Sequence, residues 1–343
     1  MKGTVVAFDT LAGRPAAALM VDGQLDDLLI DPPDDRIRPG AIYRARARRP
    51  MKGQGGLILE TPDGPLFLRQ AKGISQGDDL IVQVSTYAEA GKAAPATHKV
   101  LFKSRFCLVT PGAEGLNISR SLKDEERRVE LREVLDDLTV PDGIGIVVRT
   151  AAGDAEDAAV RDDIDKMLAL AVALLNEPRT GPPEKLLDGP GAQDLAIRDW
   201  PFPDVTDSKP GSFERHGIDE YIAALAHARE ALPGGASFYV EPTRALTAVD
   251  INTGPDTSPA AGLKANIAAI RALPRALRLR GLGGQIVLDL APLSKKDRRQ
   301  VEQVVKTAFR ADAIETSLVG WTPLGHLELV RKRERLVILE CLR

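Results

Sequence analysis

The chain has 343 residues, 43% of them hydrophobic, which is enough for two or three domains with separate cores and excludes wholesale disorder. Its 46 basic and 49 acidic side chains leave a formal charge of -3, so the molecule as a whole does not attract polyanions and any such contact must come from local patches. Cys107 and Cys341 are too few for a disulfide framework and too far apart for a zinc knuckle, and no run approaches the roughly 18 apolar residues of a membrane span. The opening MKGTVVAFDTLAGRP lacks the apolar core of a secretory signal, and the expectation is a soluble cytoplasmic protein with no membrane partner.

Short apolar runs at Thr4 to Phe8, Ala16 to Val21 and Leu28 to Ile30, separated by turn residues, predict a three-stranded meander. Five β-type runs follow, Ile42 to Arg48, Gly56 to Glu60, Pro65 to Leu68, Leu80 to Val84 and Lys99 to Phe102, and their spacing fits a small OB-type barrel. In YRARARR the period of two places Arg44, Arg46 and Arg48 on one strand face as a basic ladder, either a solvated outer face or a track for a polyanion. A charged helix over Lys123 to Leu138, a strand Gly143 to Thr150 and a helix from Asp154 to Asn176 come next, the last with Val160, Ile164, Met167, Leu168, Ala171 and Leu175 as its apolar stripe. Asn176 to Gly211 is so rich in proline and glycine that it reads as a linker. A helix over Ile218 to Leu232 resumes regular structure, and Ser294 with Asp297 three residues on reads as the N-cap of another.

Between these two helices lie EPTRALTAVDINTG and GLGGQIVLDLAPL, each a β-type run ending on an aspartate, Asp250 and Asp289. Strand periodicity puts Asp250 and Asn252 on one face with Val249 and Ile251 on the other. NIAAIRALPRALRLR, from Asn266 to Arg280, reads as the crossover helix of a parallel strand, helix, strand unit, whose ligand sites lie beyond the carboxyl ends of the strands. Two carboxylates brought close repel unless a cation neutralises them, and Mg²⁺ suits that role because it takes one or two protein carboxylates and keeps several waters. The four histidines show no metal-ligand spacing and read as core or surface residues.

VEPTRALTAVDINTG, the segment Asn266 to Leu293 and LGHLELVRKR, with GIGIVVRTAA and NISRSLKDEERRVELREVL upstream, resemble the ribonuclease E/G family of bacterial endoribonucleases. The resemblance implies that Asp250 and Asp289 hold one Mg²⁺, with Mn²⁺ as a substitute, and that Asn252 positions the scissile phosphate. It implies that Arg149 and Thr150 bind a 5′-monophosphate, and that Phe67 and Lys92 contact single-stranded RNA. Arg44 and Arg46 of the basic ladder are candidate RNA contacts from their strand spacing, and Arg278 and Arg280, at the entry to the second aspartate strand, either contact phosphate or complement the helix dipole. The resemblance also implies an α+β multidomain fold. Residues 1–38 and 184–236 would form a reduced RNase H-like subdomain, 39–103 an OB-type barrel, 104–183 a 5′-sensor domain and 237–343 a DNase I-like catalytic subdomain. The chain departs from the family in two ways: it lacks the CPxC zinc pair, so no zinc is expected and the oligomeric state stays open, and Leu57 stands where a stacking phenylalanine is common. The expected activity is hydrolysis of single-stranded RNA to 5′-phosphate and 3′-hydroxyl ends, and the alternative is an RNA-binding protein of the same fold, with little catalysis, acting in rRNA handling or translation.

Overall fold

The computed structural model describes residues 2–33, 36–51, 55–69, 71–89 and 91–342, which fall into one unit of residues 34–202 and a second of 1–33 with 203–343. In the 34–202 unit, Ile42–Met51, Gly56–Thr61, Gly64–Arg69, Ala94–Thr97 and Asp79–Val84 follow one another round a barrel, and the last pairs back with the first. Alternation along these strands sends Tyr43, Ala45, Leu57, Leu59, Leu66, Leu68 and Val82 into a shared core. The fifth barrel strand is therefore Ala94–Thr97, not the expected Lys99 to Phe102. Phe102–Lys103 pairs instead with Cys107–Pro111 in a second sheet and buries Phe102 in that sheet's core.

The second sheet runs Gly115–Ile118, Ile144–Val148, Cys107–Pro111, Phe102–Lys103. The helices Glu125–Asp136 and Asp157–Leu175 cover it, burying Leu131, Leu135, Val160, Ile164, Leu168 and Ala171 with Val109, Ile146 and Val148. Asp124 caps the first of these helices by accepting the Arg127 N–H at 3.1 Å.

The expected linker is the largest departure. It holds the strand Glu184–Leu187, which joins the barrel sheet beside Ile42–Met51, then the helix Ala192–Asp199, then the strand Val205–Asp207, which pairs in parallel with Thr4–Leu11. Its seven prolines all lie outside these elements, so they punctuate short structure rather than prevent it. Residues 184–202 consequently lie in the 34–202 unit, apart from the expected grouping of 184–236 with 1–38.

In the other unit the meander is present as Thr4–Leu11, Arg14–Val21 and Gln24–Ile30, and its buried face shares a core with Phe213, Ile218, Ile222 and Leu225. The helix predicted from Ile218 stops at Ala224, and Arg229–Ala231 is already a strand. That strand edges a six-stranded sheet, Arg229–Ala231, Ser237–Pro242, Thr247–Asn252, Gly284–Asp289, Leu327–Arg331, Thr316–Trp321. The helices Ala261–Arg280 and Arg298–Arg310 pack on one face of it, joining Ala269, Ile270, Leu273, Leu277, Val301, Val305 and Phe309 to Val249, Ile251, Ile286 and Leu288. Ser294 does not cap the helix as expected: its hydroxyl donates to the Asp297 carboxylate at 2.6 Å, and Lys295–Asp297 forms a 3₁₀ turn ahead of the helix proper.

Arg331, on a central strand, is fully buried and paired with buried Asp312 at 2.6 Å. Asp312 also takes the Arg278 guanidinium, which reaches Asp26 at 2.9 Å, while Arg335 pairs with Asp27. Arg331 keeps two guanidinium nitrogens without a hydrogen-bond partner, so Asp312 is the chief compensation for a desolvated cation. Removing one partner of a buried pair strands the other charge. Asp312→Ala is accordingly expected to destabilise the protein by about 3 to 5 kcal/mol, read as a lowered urea midpoint, and an unchanged midpoint would show that the network carries no such weight.

Candidate active site

The strands Thr247–Asn252 and Gly284–Asp289 run parallel with Asp250 as the register partner of Asp289, so the two carboxylates leave the same sheet face one strand spacing apart, about 4.8 Å between backbones. Both side chains are exposed, because the helices cover the opposite face, where Val249, Ile251, Ile286 and Leu288 are buried. Asn252, also exposed, donates its amide to Asp250 Oδ2 at 2.9 Å. Two devices hold the strand ends. The helix Ala261–Arg280 terminates at Gly281 with φ of 67°, where the Leu282 N–H reaches Leu277 O at 2.9 Å and the Gly281 N–H reaches Arg278 O at 3.1 Å, a glycine-dependent reversal into the Asp289 strand. A side chain at Gly281 would also collide with Leu336 O, 1.9 Å from its Cβ position. Beyond Asp289, buried Asn266 clamps the chain by donating to Ala291 O and accepting from the Ala291 N–H, both at 2.9 Å.

His326 lies at the start of the next strand, Nε2 at 3.7 Å from Asp289 Oδ1, held in a turn where its backbone N–H donates to Thr322 Oγ1 at 3.0 Å. Among the described residues no group of three His, Cys, Asp or Glu side chains forms a metal cluster. A cation at this site would therefore rest on two carboxylates with water completing its shell. That donor set, oxygen only and few in number, fits Mg²⁺ and not a closed structural zinc site.

Arg149 follows the strand Ile144–Val148 and lies in the 34–202 unit. Its guanidinium donates to the carbonyls of Ser104, Arg105 (3.1 Å) and Arg198 (3.3 Å) and to Asp199 Oδ1 at 3.0 Å. Thr150 is exposed, with Oγ1 3.1 Å from Ser119 Oγ.

The other sequence-derived RNA contacts divide sharply. Arg44 is 5% exposed and held by Glu177, Glu184 and the carbonyls of Pro178 and Pro182, so it cannot belong to an exposed ladder; the strand Glu184–Leu187, absent from the sequence reading, covers it. Arg46 pairs with Asp79 at 2.8 Å and Arg48 with Glu60. Arg278 is 9% and Arg280 5% exposed, the first among Asp26, Asp27 and Asp312, the second against Glu230 at 2.7 Å and the carbonyls of Ala276 and His227, so both are structural cations on the buried face of their helix. Lys92 is exposed and pairs with Glu89 at 2.8 Å. Phe67 is half-buried on the outer barrel face, its ring over Gly56, where an added Cβ would come within 2.5 Å of it. Leu57 points into the barrel core at 2% exposure.

Asn266, His326 and Asp199 escaped the sequence reading. Asn266 was open to detection, since it occupies the apolar stripe of Ala269, Ile270 and Leu273, where an unpaired amide is costly. The other two became visible only through strand pairing and an unexpected helix. Asn266→Ala would strand both polar groups of Ala291 and is expected to cost about 1 to 3 kcal/mol in denaturation, with faster exchange of the Ala291 amide proton; unchanged exchange would mean the clamp does not order the chain after Asp289.

A family model described as the ribonuclease E/G family matches residues 102–208 and 204–334. Ribonuclease E of Nostoc sp. is 28% identical over 375 aligned residues, covering 93% of this chain and 54% of that protein. Ribonuclease G of Escherichia coli (strain K12) is 28% identical over 303 residues, 76% of this chain and 61% of that protein, and ribonuclease E of Haemophilus influenzae is 27% identical over 376, 92% and 40%. The chain thus spans roughly half the length of these relatives. With well over half of its residues matched, the chain belongs to the ribonuclease E/G family.

Proposed function

We propose that the chain is a divalent-metal-dependent endoribonuclease acting on single-stranded RNA in RNA processing or decay. The observation that carries this reading is the in-register pairing of Asp250 with Asp289 on an open sheet face, in a member of this family. Asp250 and Asp289 would hold Mg²⁺, or Mn²⁺ in its place, which supplies positive charge and Lewis acidity at the phosphoryl group. Asn252, fixed by its hydrogen bond to Asp250, would orient the scissile phosphate through its amide. A water oxygen attacks phosphorus and the bond to the 3′ oxygen breaks, giving a 3′-hydroxyl and a 5′-phosphate.

On this reading the six-stranded sheet and its helices form the DNase I-like catalytic subdomain, and the four-stranded sheet of the 34–202 unit forms the 5′-sensor, with Arg149 and Thr150 as ligands of a terminal phosphate. Phe67, whose ring is half-exposed on the barrel, would stack a base, an interaction worth roughly 1 to 3 kcal/mol.

Purified protein incubated with 5′-labelled single-stranded RNA should cleave it in Mg²⁺ and not in EDTA. Asp250→Asn and Asp289→Asn should each lower the rate by on the order of 10²-fold or more; cleavage that survives either substitution or chelation would refute the metal assignment. RNA carrying a 5′-monophosphate should be cut faster than 5′-hydroxyl RNA, with Arg149→Ala removing the difference, and an Arg149→Ala protein that keeps the preference would refute the sensor assignment.

A further inference from the structure

Three cations from three elements converge on one carboxylate, Asp199. Lys103, at the end of the strand Phe102–Lys103, places Nζ 2.8 Å from Asp199 Oδ1, and Arg149 places Nη2 3.0 Å from the same oxygen. Arg198 binds the other oxygen through Nη2 at 2.6 Å and Nε at 3.0 Å. Arg105 stands next to them, its guanidinium 3.7 Å from the centre of the Phe202 ring and its Nε buried without a partner. Asp163 is the second carboxylate near Arg105, and it is engaged by the Ser104 hydroxyl and by the Phe106 N–H at 2.9 Å. Four cations thus face two carboxylates in a half-buried place.

Burial bears on both the cations and the anion. Burial pulls the Lys103 ammonium below its ordinary range despite its bond to Asp199, and burial followed by the charge of Arg149 does the same to Arg105. Burial pushes the Asp199 carboxyl up, but hydrogen bonds and charge from Arg198 and Lys103 outweigh it and hold the group well below the usual carboxylate range. Asp199 is thus held as an anion by three cations on its two oxygens.

Resting on the reading of Arg149 as a ligand for a 5′-terminal phosphate, we propose that Asp199 is a built-in competitor for that ligand and sets the specificity of the site. The competitor is tethered, so it holds the cations at a high effective concentration. An internal phosphodiester brings one negative charge, no more than the aspartate it must displace. A terminal phosphomonoester brings about 1.5 to 2 charges and three strong acceptor oxygens, which match Lys103, Arg149 and Arg198 better than a carboxylate does. Asp199 therefore excludes internal phosphates and yields to the chain end.

The test is fluorescence anisotropy of the full chain in EDTA, with a 3′-labelled oligoribonucleotide ending in a 5′-monophosphate or a 5′-hydroxyl. Asp199→Asn should tighten binding of the monophosphate RNA by roughly tenfold and also raise affinity for the hydroxyl RNA, because internal phosphates then meet no competitor. Asp199→Ala should act in the same direction, so a folding defect peculiar to one substitution does not decide the matter. If Asp199 merely braces Arg149, both variants weaken binding or leave it unchanged; that result, with Arg149→Ala still abolishing the wild-type preference, overturns the competitor and leaves the sensor standing. Wild-type protein that binds the two RNAs equally while both Asp199 variants bind them more tightly overturns the specificity role together with the 5′-end reading, because Asp199 then only screens the cations from any phosphate.

Discussion

The candidate site depends on one constraint, the register of two parallel strands. A slip of one residue between Thr247–Asn252 and Gly284–Asp289 would turn one of Asp250 and Asp289 toward the core and leave the other alone. The register is held from both sides. Burial of Val249, Ile251, Ile286 and Leu288 together excludes the one-residue slip, and the crossover helix must end at Gly281 for the second strand to begin where it does. The carboxylates are exposed, so their mutual repulsion costs only about 1 kcal/mol in water; it grows several-fold once a ligand displaces that water. A bare pair is tolerable, whereas a covered pair calls for a cation.

The parts of this site that a sequence can reveal are those governed by local period. Alternation in TAVDIN places Asp250 and Asn252 together, and the stripe in the intervening helix implies the parallel crossover. The barrel was legible for the same reason, apart from its fifth strand, where Ala94–Thr97 is too short and too rich in alanine and proline to stand out. Boundaries failed where tertiary pairing overrides propensity: Glu184–Leu187 is a strand because Ile42–Met51 offers it an edge, and nothing within its own residues demands that conformation. His326 beside Asp289 belongs to the same class, since only the antiparallel pairing of Leu288 with Leu327 brings it there.

Charge was the least legible property. Arginines at strand or helix spacing look alike in sequence whether they face a polyanion or a buried carboxylate. Arg44, Arg278 and Arg280 face carboxylates: Glu177 and Glu184 hold the first, Asp26 and Asp312 the second, Glu230 the third. Their partners lie far away in the chain, so no local window reveals them. The near balance of 46 basic and 49 acidic residues agrees with this, because many cations are consumed inside the protein. Around Lys103, Arg105, Arg149 and Arg198, by contrast, four cations share Asp199 and Asp163.

The central claim is that Asp250 and Asp289 act as one divalent-cation site, and titration with Mn²⁺ followed by electron paramagnetic resonance tests it without relying on turnover. One ion should bind to the wild-type protein, and Asp250→Asn, Asp289→Asn and the double variant should all lose it to about the same extent, as expected for ligands that work as a unit. Retention of the ion by the double variant would contradict the account.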